Sequence, residues 1–333
     1  MPSRMPIALV TGVTGQDGGF LVERLAADGY TVHGLVRGGE DLSDLQRRCP
    51  DIVLHEGELS DDAALADVLA SSGADEVYHL AGISSVAFSW EEPVLTAEVT
   101  ALGSARLLEQ AWQHQQRRDR QVRYLQASSA EIFGQAAEAP QDETTAVRPT
   151  SPYGAAKAYA HHLTGVYRER GMFAVSLVLY NHESDRRTAS FVTRKITQGA
   201  ARMALGLQDE LVLGNLDVCR DWGWAPDYVD AMVRAVRHGQ ADDYVIATGA
   251  AHSVADFVAA AFHHAGVEPE RRRVRVDPAF FRPADAGLQV GDAAKARRKL
   301  GWSPSVGFEE LVGRMVDADV AQLRSAARPP EPR

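Results

Sequence analysis

Cysteine is nearly missing from this chain: Cys49 and Cys219 are the two in 333 residues. Two thiols exclude a disulfide framework and a cysteine-based zinc site, and a reducing cytoplasm is the expected compartment. Long hydrophobic runs are absent too. No segment approaches membrane-spanning length, and Met1 to Met5 lacks the apolar core of a signal peptide. Positive charge is in deficit, with 35 Lys and Arg against 45 Asp and Glu. The resulting net charge of −10 argues against nucleic acid as the main partner. The pairs His161-His162 and His263-His264 are adjacent and point to different helix faces, so no metal site is expected.

What is present suits a soluble enzyme: 45% hydrophobic residues are enough for a large core, in one large or two intertwined domains. Apolar runs recur at 7–10, 31–36, 52–54, 77–80, 122–126, 174–180 and 244–247, with helical patterns between most of them. That alternation predicts an α/β fold, a Rossmann-type doubly wound parallel sheet wrapped by helices on both faces. Residues 1–180 are expected to form the dinucleotide-binding domain, its sheet completed by about 222–250. Residues 181–325 are expected to form a smaller, intertwined substrate-binding domain of loops and short helices. The Pro- and Arg-rich tail from Ala326 is read as disordered.

The first apolar run, Ile7-Ala8-Leu9-Val10, leads into Thr11-Gly12-Val13-Thr14-Gly15-Gln16-Asp17-Gly18 and then Phe20-Leu21-Val22-Glu23-Arg24-Leu25, apolar at helical spacing. Strand, glycine turn and helix in that order let backbone amides approach a pyrophosphate at a helix N-terminus. The second strand ends in Arg37 where a carboxylate would bind a ribose 2′-hydroxyl. An arginine there accommodates a 2′-phosphate, so NADP is preferred over NAD, with a solvated surface arginine as the alternative. Gly57-Glu58-Leu59-Ser60-Asp61 falls where the adenine edge would lie.

The chemistry is concentrated between residues 126 and 157. Gln126-Ala127-Ser128-Ser129-Ala130-Glu131 is followed, 22 residues after Glu131, by Tyr153-Gly154-Ala155-Ala156-Lys157. Pro152 suits a first helical turn and the alanines favour continuation, so Tyr153 and Lys157 share a helix face. A lysine cation beside a phenol lowers the phenol's pKa and makes Tyr153 a candidate base. Three bland alternatives stand beside this. Tyr153 and Lys157 also fit a surface pair. Ser128-Ser129-Ala130-Glu131 also fits a capping box, with Ser128 as the cap and Glu131 reaching back to its amide. Ser129 also fits a plain polar strand end.

These residues carry a family resemblance. The glycine turn, the Ser129/Tyr153/Lys157 set and the chain length resemble extended short-chain dehydrogenase/reductases. Val10 to Gly18, Asn181-His182-Glu183-Ser184, Phe191-Val192-Thr193-Arg194-Lys195-Ile196, Leu213-Gly214-Asn215, Arg220-Asp221-Trp222-Gly223 and Phe281-Arg282-Pro283 resemble GDP-mannose 4,6-dehydratases, from about residue 6 to 320. The resemblance implies that GDP-mannose becomes GDP-4-keto-6-deoxymannose: a hydride leaves C4 for NADP, water is lost across C5 and C6, and the hydride returns to C6. It implies Tyr153 as base at O4, Lys157 as its electrostatic partner, Ser129 as a hydrogen-bonding hydroxyl, and Glu131 as acid/base for C5 and the 6-hydroxyl. A carboxyl group handling both proton steps needs a pKa nearer the working pH than an exposed glutamate has.

The same resemblance implies cofactor contacts at Gly12, Thr14, Gly15, Gln16, Asp17, Gly18, Arg37, Glu58, Leu59, Leu80, Ala81, His182 and Arg187. For the GDP-sugar it implies Ser84, Asn181, Val192, Lys195, Leu213, Gly214, Asn215, Arg220, Arg282 and Asp285, and a homodimer or homotetramer as the assembly. Arg186 and Arg187 lie where the family reaches across to a neighbouring subunit. The chain departs from the family pattern at Gly38, Ile83, Thr188, Ala189 and Asp285. A GDP-sugar epimerase or 4-keto reductase would share the fold, Tyr153 and Lys157. A catalytically inactive NADP-binding protein would share the glycine turn.

Overall fold

Runs that stay apolar at every position become strands buried on both sides, which is how a parallel sheet covered by two helix layers must read. Phe173–Leu179 is buried along its whole length. The computed structural model describes residues 5–268, 270, 272–281 and 287–326. In chain order these form β1 (Ile7–Thr11), α1 (Gln16–Ala27), β2 (Thr31–Val36), α2 (Ser43–Arg48), β3 (Val53–Glu56), α3 (Asp62–Ser72) and β4 (Glu76–His79). Then come α4 (Val86–Glu91), α5 (Pro93–Thr96), a π-helical turn (Ala97–Leu102), α6 (Gly103–Arg118), β5 (Arg123–Ser129), α7 (Pro152–Glu169) and β6 (Phe173–Leu179). The remainder is β7 (Asn181–Glu183), α8 (Val192–Ala204), β8 (Leu211–Leu213), β9 (Cys219–Trp224), α9 (Ala225–Arg237), β10 (Asp243–Ile246) and β11 (Ala251–Ser253). After it follow α10 (Val254–His264), β12 (Val274–Val276), α11 (Ala294–Leu300) and α12 (Phe308–Ala326).

Seven strands form one parallel sheet in the order β10-β6-β5-β4-β1-β2-β3. This is the doubly wound order, with β10 added beyond β6. Leu21, Leu25, Met232 and Val233 from α1 and α9 cover one face of the sheet. Leu65, Leu69, Leu107 and Leu108 from α3 and α6 cover the other. The strand order reverses between β1 and β4, which opens a crevice at the strand carboxyl ends where ligands bind in such sheets.

A second apolar core is built by α8, α10 and α12, with Ile196, Met203, Phe257, Leu311 and Met315 at its centre. The loops and short helices expected after residue 181 are replaced here by helices of 13, 11 and 19 residues. Alanine-rich stretches such as Val254–His264 give a weak apolar period. A capping box was nevertheless available in the sequence: the Ser253 hydroxyl accepts from the Asp256 amide at 3.0 Å, and Asp256 takes the Ser253 amide at 2.8 Å. β7 follows β6 of the main sheet directly and pairs with β9 in the small sheet β11-β9-β7, while β12 and β8 form a separate two-stranded sheet. The tail expected to be disordered lies, from residue 327, outside the described residues.

Candidate active site

β5 delivers the first catalytic candidates because it runs further than its apolar stretch. Ser128 and Ser129 still pair with Val178 and Leu179 of β6, and Ser129 is fully extended at φ −149°, ψ 147°. The chain then bends into a single 3₁₀ turn over Ala130–Ile132. The capping box on Ser128 therefore does not form. Ser129 is the cap, and its hydroxyl accepts the Glu131 amide at 3.2 Å. Glu131 is left half-buried beside the strand end.

Tyr153 and Lys157 enter from α7, whose first turn is fixed by Pro152 and by the Ser151 hydroxyl accepting the Gly154 amide at 3.0 Å. The Ser129 hydroxyl is near enough to the Tyr153 phenol to favour its ionised form, and the Glu131 carboxylate is near enough to oppose it electrostatically. The start of α7 packs on the turn after β5, where a Cβ on Gly154 would lie 2.6 Å from the Glu131 carbonyl oxygen, so Ser129, Glu131 and Tyr153 share the carboxyl end of β5. The surface-pair alternative fails, since both Tyr153 and Lys157 are buried.

The lysine does not pull the phenol down as expected. Burial pushes Tyr153 up to about 12, against the favourable Ser129 hydrogen bond. Burial also drives Lys157 down to about 8, with Asp17 opposing. The ammonium donates to the Ala127 carbonyl at 2.8 Å and lies 5.9 Å from the centre of the Tyr153 ring. A cation that is itself desolvated and turned to a strand carbonyl is a weak lever on its neighbour, so burial decides both groups.

The glycine turn lies alongside. Gly12 sits at φ +76°, and a Cβ there would lie 2.9 Å from the Ala81 amide nitrogen. A Cβ on Gly18 would fall 2.0 Å from the Gly12 carbonyl oxygen. Only glycine permits that approach. Gly15 begins α1 with no side-chain cap, which leaves the first amides of a 12-residue helix open to an anion. This cradle, closed to side chains and rich in unclaimed amides, fits a dinucleotide pyrophosphate.

Gln16 and Asp17 are turned into the protein. Asp17 receives the His182 Nε2 at 2.7 Å, and Gln16 donates to the His182 carbonyl at 3.1 Å. Burial alone would raise the Asp17 carboxyl, but His182 wins and holds it below its ordinary value. Burial likewise opposes a charged His182, yet Asp17 and the Tyr180 carbonyl, at 2.6 Å from Nδ1, raise it above its ordinary value. Arg187 donates to Glu183 at 2.8 Å and Arg186 to Glu23 at 3.0 Å, so both guanidiniums are engaged within their own chain. Ser184, which the sequence reading passed over, donates to Gln16 at 2.8 Å.

Arg37 is exposed at the end of β2 and ion-pairs with Glu40 at 2.7 Å; Glu40 also accepts from Thr14 at 3.1 Å. Leu59 is buried against Gly103, while Glu58 is exposed beside it. Leu80 and Ala81 follow β4, and Ser84 is exposed a few residues on.

On the far side, Lys195 of α8 stacks over Phe280 at 4.1 Å, and a Cβ on Gly214 would come 2.8 Å from the Phe280 carbonyl oxygen. Lys195, Gln198, Arg202 and Val212 line a groove of about 380 Å³. Leu213 is buried at the end of β8, Val192 opens α8 half-buried, and the Asn215 side chain accepts the Asp217 amide at 2.9 Å. Asn181 is exposed on β7 beside His182. Arg220, expected at a diphosphate, is buried in β9 and donates to the Cys219 carbonyl at 2.8 Å. Arg282 and Asp285 lie outside the described residues. Among the described residues there is no cluster of ligating side chains for a metal, and no helix is long and apolar enough to cross a membrane.

The model of the family described as GDP-mannose 4,6 dehydratase matches residues 9–315. The chain belongs to the GDP-mannose 4,6-dehydratase family. GDP-mannose 4,6 dehydratase 1 of Arabidopsis thaliana is 45% identical, covering 94% of this chain and 90% of that protein. GDP-mannose 4,6 dehydratase of Homo sapiens is 40% identical, over 96% of this chain and 92% of that one. Among solved structures, Thermus thermophilus UDP-glucose 4-epimerase in complex with NAD superposes with a TM-score of 0.82 at 29% identity, covering 94% of this chain and 98% of that one. The dehydratase family and the epimerase therefore share one doubly wound framework, and the residues set on it separate their chemistries.

Proposed function

We propose that this protein is a nucleotide-sugar 4,6-dehydratase that converts GDP-mannose to GDP-4-keto-6-deoxymannose, with NADP as its resident cofactor. The observation that carries this is the meeting of Ser129, Glu131 and Tyr153 at one strand end beside the glycine turn. Membership of the dehydratase family supplies the substrate. When bound, the dinucleotide accepts the C4 hydride and later returns it at C6.

Each protein group then has a defined task. Gly12, Gly15 and Gly18 bring backbone amides to the pyrophosphate. Arg37 turns from Glu40 to a 2′-phosphate, a small cost because an exposed ion pair contributes only ~0–1 kcal/mol. Tyr153 takes the O4 proton while Ser129 holds the oxygen in place. Lys157 supplies positive charge below the phenol, and binding beside it of a group carrying its own positive charge favours the phenolate that burial alone disfavours. Glu131 removes the C5 proton, acidic beside the new ketone, and delivers it to the departing 6-hydroxyl. Lys195 and the groove beside it hold the GDP portion. A 4-keto reductase would need no acid/base for C5.

The protein works in a reducing cytoplasm, where Cys49 and Cys219 stay as thiols. It assembles as a homo-oligomer through the exposed apolar side chains Trp90, Val94, Leu95, Leu102, Tyr159 and Val166 on α4, α5, the π turn and α7.

Incubation of the enzyme with GDP-mannose and no added reductant, read by mass spectrometry, tests the reading. The expected product is lighter by one water, and Glu131→Gln loses about 10²- to 10⁴-fold in kcat, the range of a general acid/base. An unchanged substrate mass, or a demand for stoichiometric NADPH, contradicts it.

A further inference from the structure

His79 ends β4 in a fully buried position, linked on both sides to hydroxyls that no role assigned above uses. Its Nδ1 lies 2.8 Å from the Thr11 hydroxyl and its Nε2 3.0 Å from the Ser104 hydroxyl. The two neighbours settle which nitrogen carries the proton. Thr11 Oγ1 accepts the amides of Leu80 at 3.2 Å and Ala81 at 3.1 Å. With both lone pairs engaged, its one hydrogen is left for His79 Nδ1, which must accept. Ser104 donates to the Thr100 carbonyl at 2.6 Å, so it must accept from Nε2. The two sides agree on a neutral ring protonated at Nε2. Burial, aided by the nearby Lys157 cation, keeps the ring neutral by pushing it down to about 3.

The relay continues to the segment that follows. Thr100, in the π turn, accepts the Ile83 amide at 3.0 Å, and a Cβ on Gly82 would lie 3.3 Å from its hydroxyl. The amides of Leu80 and Ala81 are therefore held by the Thr11 hydroxyl that bonds His79, and the Ile83 amide by Thr100, whose carbonyl takes the hydroxyl of the Ser104 that bonds the other side of the ring. That segment presses on the glycine turn, where a Cβ on Gly12 would meet Ala81.

We infer that His79 is a positioning residue: a permanently neutral, Nε2-protonated imidazole that, through Thr11, Ser104 and Thr100, sets the Leu80–Ile83 backbone against the glycine turn and so sets the pose of the dinucleotide. This rests on the cofactor reading above. Thr100 lies in the π turn and Ser104 in the first turn of α6 that follows it, four residues on, so one stretch of chain supplies both groups. Neutrality matters as well, since a second cation here would repel Lys157.

Neutron diffraction of deuterium-exchanged crystals decides the ring state without any variant. Deuterium on Nε2 alone is expected, and deuterium on Nδ1, or on both nitrogens, overturns the inference. In solution, Thr11→Val is expected to weaken NADP+ binding about tenfold or more by fluorescence titration, while GDP binding stays as in the parent and Thr11→Ser restores the cofactor affinity. A merely structural role would lower melting temperature in Thr11→Val with NADP+ affinity intact, and that result also overturns it. Should the unmodified protein bind no NADP+, the cofactor reading fails, and with it the assigned role of His79. The neutron result still decides the ring state if Thr11→Val does not fold.

Discussion

Tyr153 and Lys157 were legible from their spacing, but their electrostatics were not, because four residues in sequence say nothing of what surrounds a side chain. The lysine meets the Ala127 carbonyl, 30 positions back, and burial moves both groups against the direction that proximity alone suggests. Arg37 carries a separate expectation: Arg37→Ala should weaken NADP+ about tenfold and leave NAD+ unchanged in a titration, which is ~1.4 kcal/mol of lost phosphate contact. Equal loss for both dinucleotides would remove Arg37 from the 2′-phosphate.

The buried Asp17–His182 pair makes a prediction about pH. His182 titrates above its ordinary 6.5 in the folded state, so its contribution to stability is complete below 6.5 and is lost as pH rises through the folded value. Asp17 titrates below its ordinary 3.8, so its share is complete above 3.8 and is lost as pH falls through its lowered value. The pair therefore stabilises most between these limits. Arg187, facing the same ring, opposes the imidazolium but does not reverse the sign. Melting temperature should fall as pH rises past 6.5 in the parent protein, and the slope should flatten in His182→Asn.

Among elements, the seven strands of the main sheet are the ones the apolar runs mark. Most are buried on both faces and so show apolar side chains at nearly every position, while β3 at the edge keeps a half-exposed Val-Leu pair before His55 and Glu56. The short strands β7, β8, β9, β11 and β12 escaped, since Asn181–Glu183 is wholly polar, Cys219–Trp224 is half polar, Leu211–Leu213 is only three residues long, and all are held by partners far away in sequence. β5 outran its apolar stretch for the same reason: Ser128 and Ser129 join the sheet through backbone pairing, which side-chain character does not signal. The junction of α8 with α12 rests on an ion pair, Arg194 to Asp319 at 2.9 Å, with both side chains at least nine-tenths buried. Arg194 also donates to the Asp185 carbonyl at 2.5 Å, so it ties α12 to the segment carrying Arg187. Asp319→Ala should cost ~3–5 kcal/mol in urea unfolding by stranding the guanidinium, and Arg194→Met with Asp319→Leu should recover most of it. A loss under ~1 kcal/mol would show the pair to be solvated.

For the whole molecule, fold and reaction class were readable because a dinucleotide cradle needs glycines at fixed positions and a proton relay needs particular side chains. The proposed assembly face was less readable, since it is put together from single apolar residues on separate helices. Val94 is 81% exposed and Val166 59% exposed, on α5 and α7, which pack against each other and against the α4 that carries Trp90. Val94→Glu with Val166→Glu should shift the protein toward monomer in light scattering. An unchanged mass would place the assembly face elsewhere.

In the proposed reaction one hydride leaves C4 of the sugar and the same hydride arrives at C6 while water departs. GDP-mannose deuterated at C4 tests it in a single turnover of the purified protein. The product should lack one water and carry the deuterium on C6; deuterium lost to solvent, retained at C4, or left on the dinucleotide would contradict the account.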